Sequence, residues 1–153
     1  KSICDRIKKP ASPGTLGILT NPEHTLFNDF PTDFHTNWQW YSIIKNSYPL
    51  ILDNMPEEYR PIVQVIDNVE RNHKLGLVFE LNVGGGKLLV CMVDLEAARN
   101  TPEGLQFYAS LLEYMNSSEF KPATSVSAKA FKNLFIGGGR KEKIKVLNNI
   151  SYD

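Results

Sequence analysis

A net charge of either sign is missing from this chain. Lys+Arg and Asp+Glu each number 17, which leaves no long-range field to gather nucleic acid or anionic lipid. Long apolar runs are missing as well. None approaches the roughly 18 residues that a membrane-spanning helix requires, and no apolar stretch follows the opening lysines as a signal peptide would need. Cysteine is scarce. Cys4 lies in a polar opening and Cys91 alternates with Leu89 and Val93 in the most apolar stretch. Two such residues exclude a disulfide framework and a thiolate metal motif, and Cys91 reads as a buried, inert thiol. The three histidines, His24, His35 and His73, share no helix-face or short ligand spacing, so neither a metal site nor a cofactor is expected.

What is present is ordinary globular material. Hydrophobic residues make up 42% and charged residues 22%, a balance that buries a core and excludes disorder. The length, 153 residues, fits one domain. We place that domain at residues 1–136 and read residues 137–153 as a flexible tail closing with a short strand at 144–147. Residues 1–10 read as the amphipathic end of a helix. An opening in mid-element, without Met, suggests a fragment or a processed product.

Residues 15–20 predict a short buried strand, and Pro22 opens a turn or helical turn whose apolar face is Leu26, Phe27 and Phe30. Residues 42–53 predict one or two short strands around a turn at Asn46-Ser47, and 54–61 a polar loop. Three stronger strands follow at 62–67, 75–83 and 87–95. The second has Leu77, Phe79, Leu81 and Val83 on one face by alternation. Gly84-Gly85-Gly86 joins it to the third and supplies the positive-φ residues of a tight hairpin. Thr101-Pro102-Glu103 then marks a helix start, with Thr as N-cap, Pro in the first turn and Glu at the positive helix end. Leu105, Tyr108, Leu111, Leu112 and Met115 recur at helical spacing and predict the face that packs on the sheet. A second helix at 127–135 turns Phe131, Leu134 and Phe135 inward.

The search for catalytic machinery finds bland readings for each candidate. Gly84-Gly85-Gly86-Lys87 is not a phosphate loop, because Leu88 and a strand follow where Ser or Thr and a helix are needed. Glycosidase chemistry needs two carboxyls about 5 to 10 Å apart across a sugar site. Asp33, Asp53, Asp67, Glu80 and Asp94 are available, but no pattern pairs two of them. Asp67 and Asp94 fall at strand ends, and Glu80 lies on the polar side of its strand. The chain alone is therefore not expected to be an enzyme. One segment is sharper: Asp33, His35, Asn37, Trp38, Gln39, Trp40 and Tyr41 place stacking rings among hydroxyl-binding groups, the chemistry of a carbohydrate site. The other reading of the same segment is that Trp38 and Trp40 share a strand face and plug the core.

Several strings in the chain carry a resemblance. They are Pro13-Gly14-Thr15-Leu16-Gly17-Ile18-Leu19, Phe30-Pro31-Thr32-Asp33-Phe34-His35-Thr36-Asn37-Trp38-Gln39-Trp40, Pro61-Ile62-Val63-Gln64-Val65-Ile66-Asp67 and Gly86-Lys87-Leu88-Leu89-Val90-Cys91. Over about residues 10–135 the chain resembles the carboxyl-terminal region of Bacteroides-type family 2 glycoside hydrolases, described as β-galactosidases or sugar-binding-domain proteins. The resemblance implies a three-layer α/β fold, amidotransferase-like (flavodoxin-like), with a mixed sheet ending on an antiparallel hairpin. The amidotransferase nucleophile is lacking, and the parent's catalytic carboxylates lie in a separate barrel. It further implies that this chain is the second half of its domain. The partners expected are then other domains of the parent chain, carbohydrate, and a second copy paired through an open sheet edge. The setting expected is periplasmic or extracellular. Three functions compete: an accessory domain of a glycoside hydrolase acting on O-glycosyl bonds, a carbohydrate-binding module built on Trp38, Trp40 and Tyr41, and an independent amidotransferase- or esterase-type enzyme. The last is weakest, because no nucleophile, base and oxyanion set assembles.

Overall fold

The spine of the molecule is one ten-residue strand, β4 (Lys74–Val83), whose run of Leu, Val and Phe favours a pleated, buried position. A computed structural model describes residues 17–68 and 71–136. The predicted opening at 1–10, Cys4, and the tail at 137–153 lie outside the described residues. Around β4 stand β1 (Gly17–Thr20), β2 (Leu50–Ile51), β3 (Val63–Ile66), β5 (Gly86–Cys91) and β6 (Ser125–Val126). Among the described residues these make a six-stranded mixed sheet in which β4 pairs with β2, β3, β5 and β6, and β1 pairs with β3. The pairings are antiparallel except the short parallel one between β6 and Asn82–Val83 of β4. The helices are α1 (Trp40–Lys45), α2 (Leu95–Ala98), α3 (Pro102–Asn116) and α4 (Ala128–Ile136).

The mixed α/β class expected from the sequence is what the chain forms. Buried clusters lie on both faces of the sheet: one joins β1, β3 and part of β4 to α1 and α3, the other joins Phe79 and Leu81 to α4 and the 52–59 loop. A flavodoxin-like topology rests on parallel strands with helical crossovers. Among the described strands the only parallel pairing is the short one between β6 and β4.

The hairpin sits where its glycines demand it. Gly84 and Gly85 have φ of 56° and 86°, and Val83 pairs with Gly86 across the turn, the pattern of a two-residue type I′ connection. Simple alternation fails further down β4. The register with β3 shifts between Val63, opposite Val78, and Gln64, opposite Gly76. Leu77 is left unmatched, a β-bulge. Leu75, Leu77 and Val78 consequently join the helix-side core, while Phe79 and Leu81 fill the other. The single predicted face of Leu77, Phe79 and Leu81 is thus split by one extra residue.

Other boundaries move for local reasons. Residues 42–53 hold α1 and only the two-residue β2, because Trp40, Ile43 and Ile44 bury at helical spacing. The strand predicted to run to residue 95 stops at Cys91, since Asp94 turns to cap α2 by accepting the Ala97 amide proton at 3.0 Å. Leu26, Phe27 and Phe30 are buried as expected, the first two in a 3-10 turn at Thr25–Phe27. In α4, Leu134 is buried but Phe135 is exposed.

The start of α3 is as read: Thr101 accepts the Gly104 amide proton at 3.2 Å, with Pro102 in the first turn. Its buried face is not. Gly104, Phe107, Ser110, Leu111 and Tyr114 point inward, while Leu105, Leu112 and Met115 are exposed. The helix carries two apolar stripes, and the aromatic one wins the interior. Phe107 packs edge-on against Phe30 and Trp40, with ring centroids 5.2 and 5.4 Å away, and Ser110 donates to the Leu26 carbonyl. Gly104 permits the approach, because a Cβ there would lie 2.0 Å from the Ala98 carbonyl oxygen.

The sheet edge at β1 is closed. Leu19 bridges to His35, the Thr20 amide donates to the Phe34 carbonyl at 3.2 Å, and the Ile18 amide donates to Thr36 Oγ1 at 2.8 Å. No described strand pairs with the outer edge of β5, which is where an open edge lies among the described residues.

Candidate functional site

Residues 31–41 leave the β1 edge and wind into α1, and their own polar groups fix the path. The Pro31 carbonyl accepts from Gln39 Nε2 at 2.8 Å. The Asp33 carbonyl accepts from Thr20 Oγ1 at 2.6 Å, and the Asp33 carboxylate accepts from Asn37 Nδ2 at 3.3 Å. The amides of Trp40 and Tyr41 then donate to the carbonyls of Asn37 and Trp38. These are helical turns, so residues 38 and 40 stand roughly 200° apart around the axis and 38 and 41 nearly align.

The two tryptophans are therefore separated. Trp40 is 0% exposed, edge-on to Phe27, Phe30 and Phe107, and its indole N–H donates to Thr32 Oγ1 at 2.7 Å. It is a core residue, and its place in the predicted carbohydrate set is corrected on that ground. Trp38 is 87% exposed. Its ring lies 6.2 Å from that of Tyr41, tilted by 55°, and Tyr41 is itself exposed. The shared strand face proposed for Trp38 and Trp40 does not exist, because the segment is helical where a strand was expected.

The remaining predicted residues gather partly around Trp38. Asp33 and Asn37 form one hydrogen-bonded pair beside it in the chain, and Gln39 is anchored to the Pro31 carbonyl. Asn37 Oδ1 is buried without a hydrogen-bond partner, an acceptor whose desolvation is uncompensated. His35 is elsewhere: it pairs with Leu19 at the sheet edge, donates from Nδ1 to the Thr36 carbonyl at 3.0 Å, and stacks edge-on with Phe34.

Each carboxylate considered for catalysis has a structural occupation. Asp94 caps α2. Asp67 accepts from the Asn68 and His73 amides and from Arg71 Nη2 at 2.9 Å. Asp53 accepts from His73 Nδ1 at 2.7 Å and from the Lys74 amide at 2.8 Å. Glu80 was expected on a solvated strand face. That face is covered by α3 instead, and Glu80 accepts from the Tyr114 hydroxyl at 2.7 Å. Burial, and then this carboxylate, push the Tyr114 phenol well above its ordinary range. Among the described residues no group of three or more His, Cys, Asp or Glu could hold a metal ion. Burial raises the Cys91 thiol to about 11, so it stays protonated and unreactive at neutral pH.

His24 caps the 3-10 turn, its Nδ1 accepting the Leu26 amide proton at 3.2 Å, with its ring 5.1 Å from that of Tyr114. Burial lowers its pKa, and the nearby Glu80 charge opposes this more weakly. A depressed histidine is bound neutral, so its contribution is complete above the unfolded value of about 6.5 and is lost as pH falls through the lower folded value. Urea midpoints should fall over that acid window. The change should be shallower in His24→Asn, which keeps a capping acceptor without a titrating ring. Equal slopes in both proteins would exclude His24 as the source.

A cleft of about 530 Å³ opens beside β1 and β3. Leu19 and Gln64 line it from the sheet, and Glu57, Arg60 and Lys74 from the loop and the head of β4. In sequence, residues 54–61 are a polar loop with nothing that points to a cleft. The available signal was Gln64 set between Val63 and Val65, an amide on the outward side of an otherwise apolar strand.

The family model described as Domain of unknown function (DUF8487) matches residues 4–136. No curated protein matches the chain.

Proposed function

The chain belongs to the DUF8487 family; from its exposed aromatic surface and its resemblance across residues 10–135, we propose that it is a non-catalytic accessory domain of a larger glycoside hydrolase whose Trp38–Tyr41 surface takes the apolar face of a sugar ring. The observation that carries this reading is the 87% exposure of Trp38 on a backbone pinned by Gln39, Asp33 and Asn37. An indole left in water is expensive apolar surface, and a rigid aromatic beside hydroxyl-binding groups is how proteins receive sugar rings. The non-catalytic half of the reading is supported by the carboxylates, since Asp53, Asp67, Glu80 and Asp94 are each engaged in holding the fold. The glycoside hydrolase context rests on the resemblance across residues 10–135. In that setting the domain meets its sugar in the periplasm or outside the cell, beside the parent's catalytic domain.

Isothermal titration with short β-galactosides and β-glucosides tests it. A one-platform site of this kind should bind with a Kd of about 1 mM. Trp38→Ala should weaken that by about thirtyfold, the usual loss of about 2 kcal/mol for an aromatic anchor. Unchanged affinity in a folded Trp38→Ala protein would sink the proposal.

A further inference from the structure

We infer that the cleft between β3 and the 56–61 loop is a binding site for a small carboxylate-bearing ligand, with the Arg60 guanidinium as its anchor. This inference is independent of the Trp38 surface and stands on the cleft alone.

The wall of the cleft is fixed by two cations. Lys74 Nζ donates to the carbonyls of Pro56, Glu57 and Tyr59 at 3.1, 3.0 and 3.3 Å. Arg60 Nη1 donates to two of the same carbonyls, Glu57 at 2.6 Å and Tyr59 at 3.2 Å. Both positive charges are thereby held in place by neutral acceptors. The ion pairs among the described residues are Arg71–Asp67 and His73–Asp53, so neither Arg60 nor Lys74 has a carboxylate partner there. Glu57 lines the cleft without pairing to either cation.

Arg60 also keeps its useful edge. Nη1 carries its two hydrogens to the loop carbonyls, and no described residue accepts from Nε or Nη2. Those two N–H groups are parallel and matched to the two oxygens of a carboxylate. Gln64 and Asn21 also line the cleft. The Asn21 carbonyl oxygen is taken by the Glu23 amide at 3.2 Å, which leaves its NH₂ to donate. Leu19, about half exposed, gives the site an apolar side. A volume of about 530 Å³ lies within the range usual for small-molecule sites. An exposed guanidinium tethered through Nη1, without a carboxylate partner among the described residues and in a cleft also lined by amides, suits an anion with planar, two-oxygen geometry.

The test is a ¹H–¹⁵N titration of the whole chain, following the backbone amides of Leu19 and Gln64 and the arginine Nε–H signals, with acetate, D-glucuronate and D-glucose as probes. Acetate and glucuronate should move these signals, with an effect that weakens as salt is added, and glucose should leave them in place. Tighter binding of glucuronate than acetate assigns the site to an acidic sugar; equal binding assigns it to small carboxylates at large. Arg60→Gln, which leaves Lys74 holding the loop, should reduce carboxylate affinity at least about tenfold, in keeping with loss of a charge-assisted hydrogen bond. Gln64→Glu should do the same by placing a like charge opposite the ligand. Trp38→Ala should have no effect on this site. Glucose shifting the same signals as strongly as glucuronate, or full affinity in folded Arg60→Gln, would overturn the inference.

Discussion

Replacing Trp40 with alanine is expected to destabilise the domain by about 4 kcal/mol, as deleting a fully buried large aromatic does, while Trp38→Ala changes stability by less than about 0.5 kcal/mol, as at an exposed position. The two residues are neighbours in sequence and alike in composition, so the contrast isolates environment. Trp40 is 0% exposed and sits at the centre of an aromatic group with Phe27, Phe30 and Phe107. Its removal opens a cavity among these rings and takes away the N–H that the Thr32 hydroxyl accepts. Trp38 contributes no such contacts beyond the Tyr41 ring. Urea unfolding of both variants, read from far-ultraviolet circular dichroism, checks the pair. Equal losses would mean that the helical turn at 37–41 does not separate them.

A comparable loss, about 3 kcal/mol, is expected from Asp67→Ala. The Asp67 side chain is 1% exposed and receives three donors, the Asn68 and His73 amides and the Arg71 guanidinium. Removing it leaves those donors without their acceptor at the turn that joins β3 to β4, where Asn72 already adopts a φ of 47°. A buried polar group stranded in this way costs more than the bond itself was worth. Arg71→Gln should cost clearly less, because the arginine side chain is 27% exposed and part of its pairing energy is screened by solvent. Thermal melts of the two variants should rank in that order. A reversed ranking would show that the carboxylate does not organise the turn.

How far the fold could be read in advance depends on how local its causes are. The Gly84-Gly85 turn, the Thr101 cap of α3 and the start of α4 were legible because each is decided within a few residues. The faces were not. Whether Leu77 shares a side with Phe79 depends on where β3 pairs, and β3 lies some ten residues away across a turn. Which stripe of α3 goes inward depends on Phe30 and Trp40 waiting for Phe107 and on the missing Cβ of Gly104. The aromatic segment was recognised by composition, yet its geometry was misjudged: a strand would put Trp38 and Trp40 together, and the turn that exists puts Trp38 with Tyr41. The Arg60 cleft left only the faint signal of Gln64 in the sequence, because its lining is drawn from β1, β3, the head of β4 and the loop before β3.

The separation of the two indoles also supplies the most direct test of the proposed function. Each tryptophan gives its own indole N–H signal in a ¹H–¹⁵N spectrum, one from the core and one from the surface. During titration with a β-galactoside or β-glucoside oligosaccharide, the Trp38 signal should move in a saturable way while the Trp40 signal stays fixed. A Trp38 signal that does not move with any such sugar, or a Trp40 signal that moves as far, would contradict the assignment of Trp38 as the sugar-receiving ring.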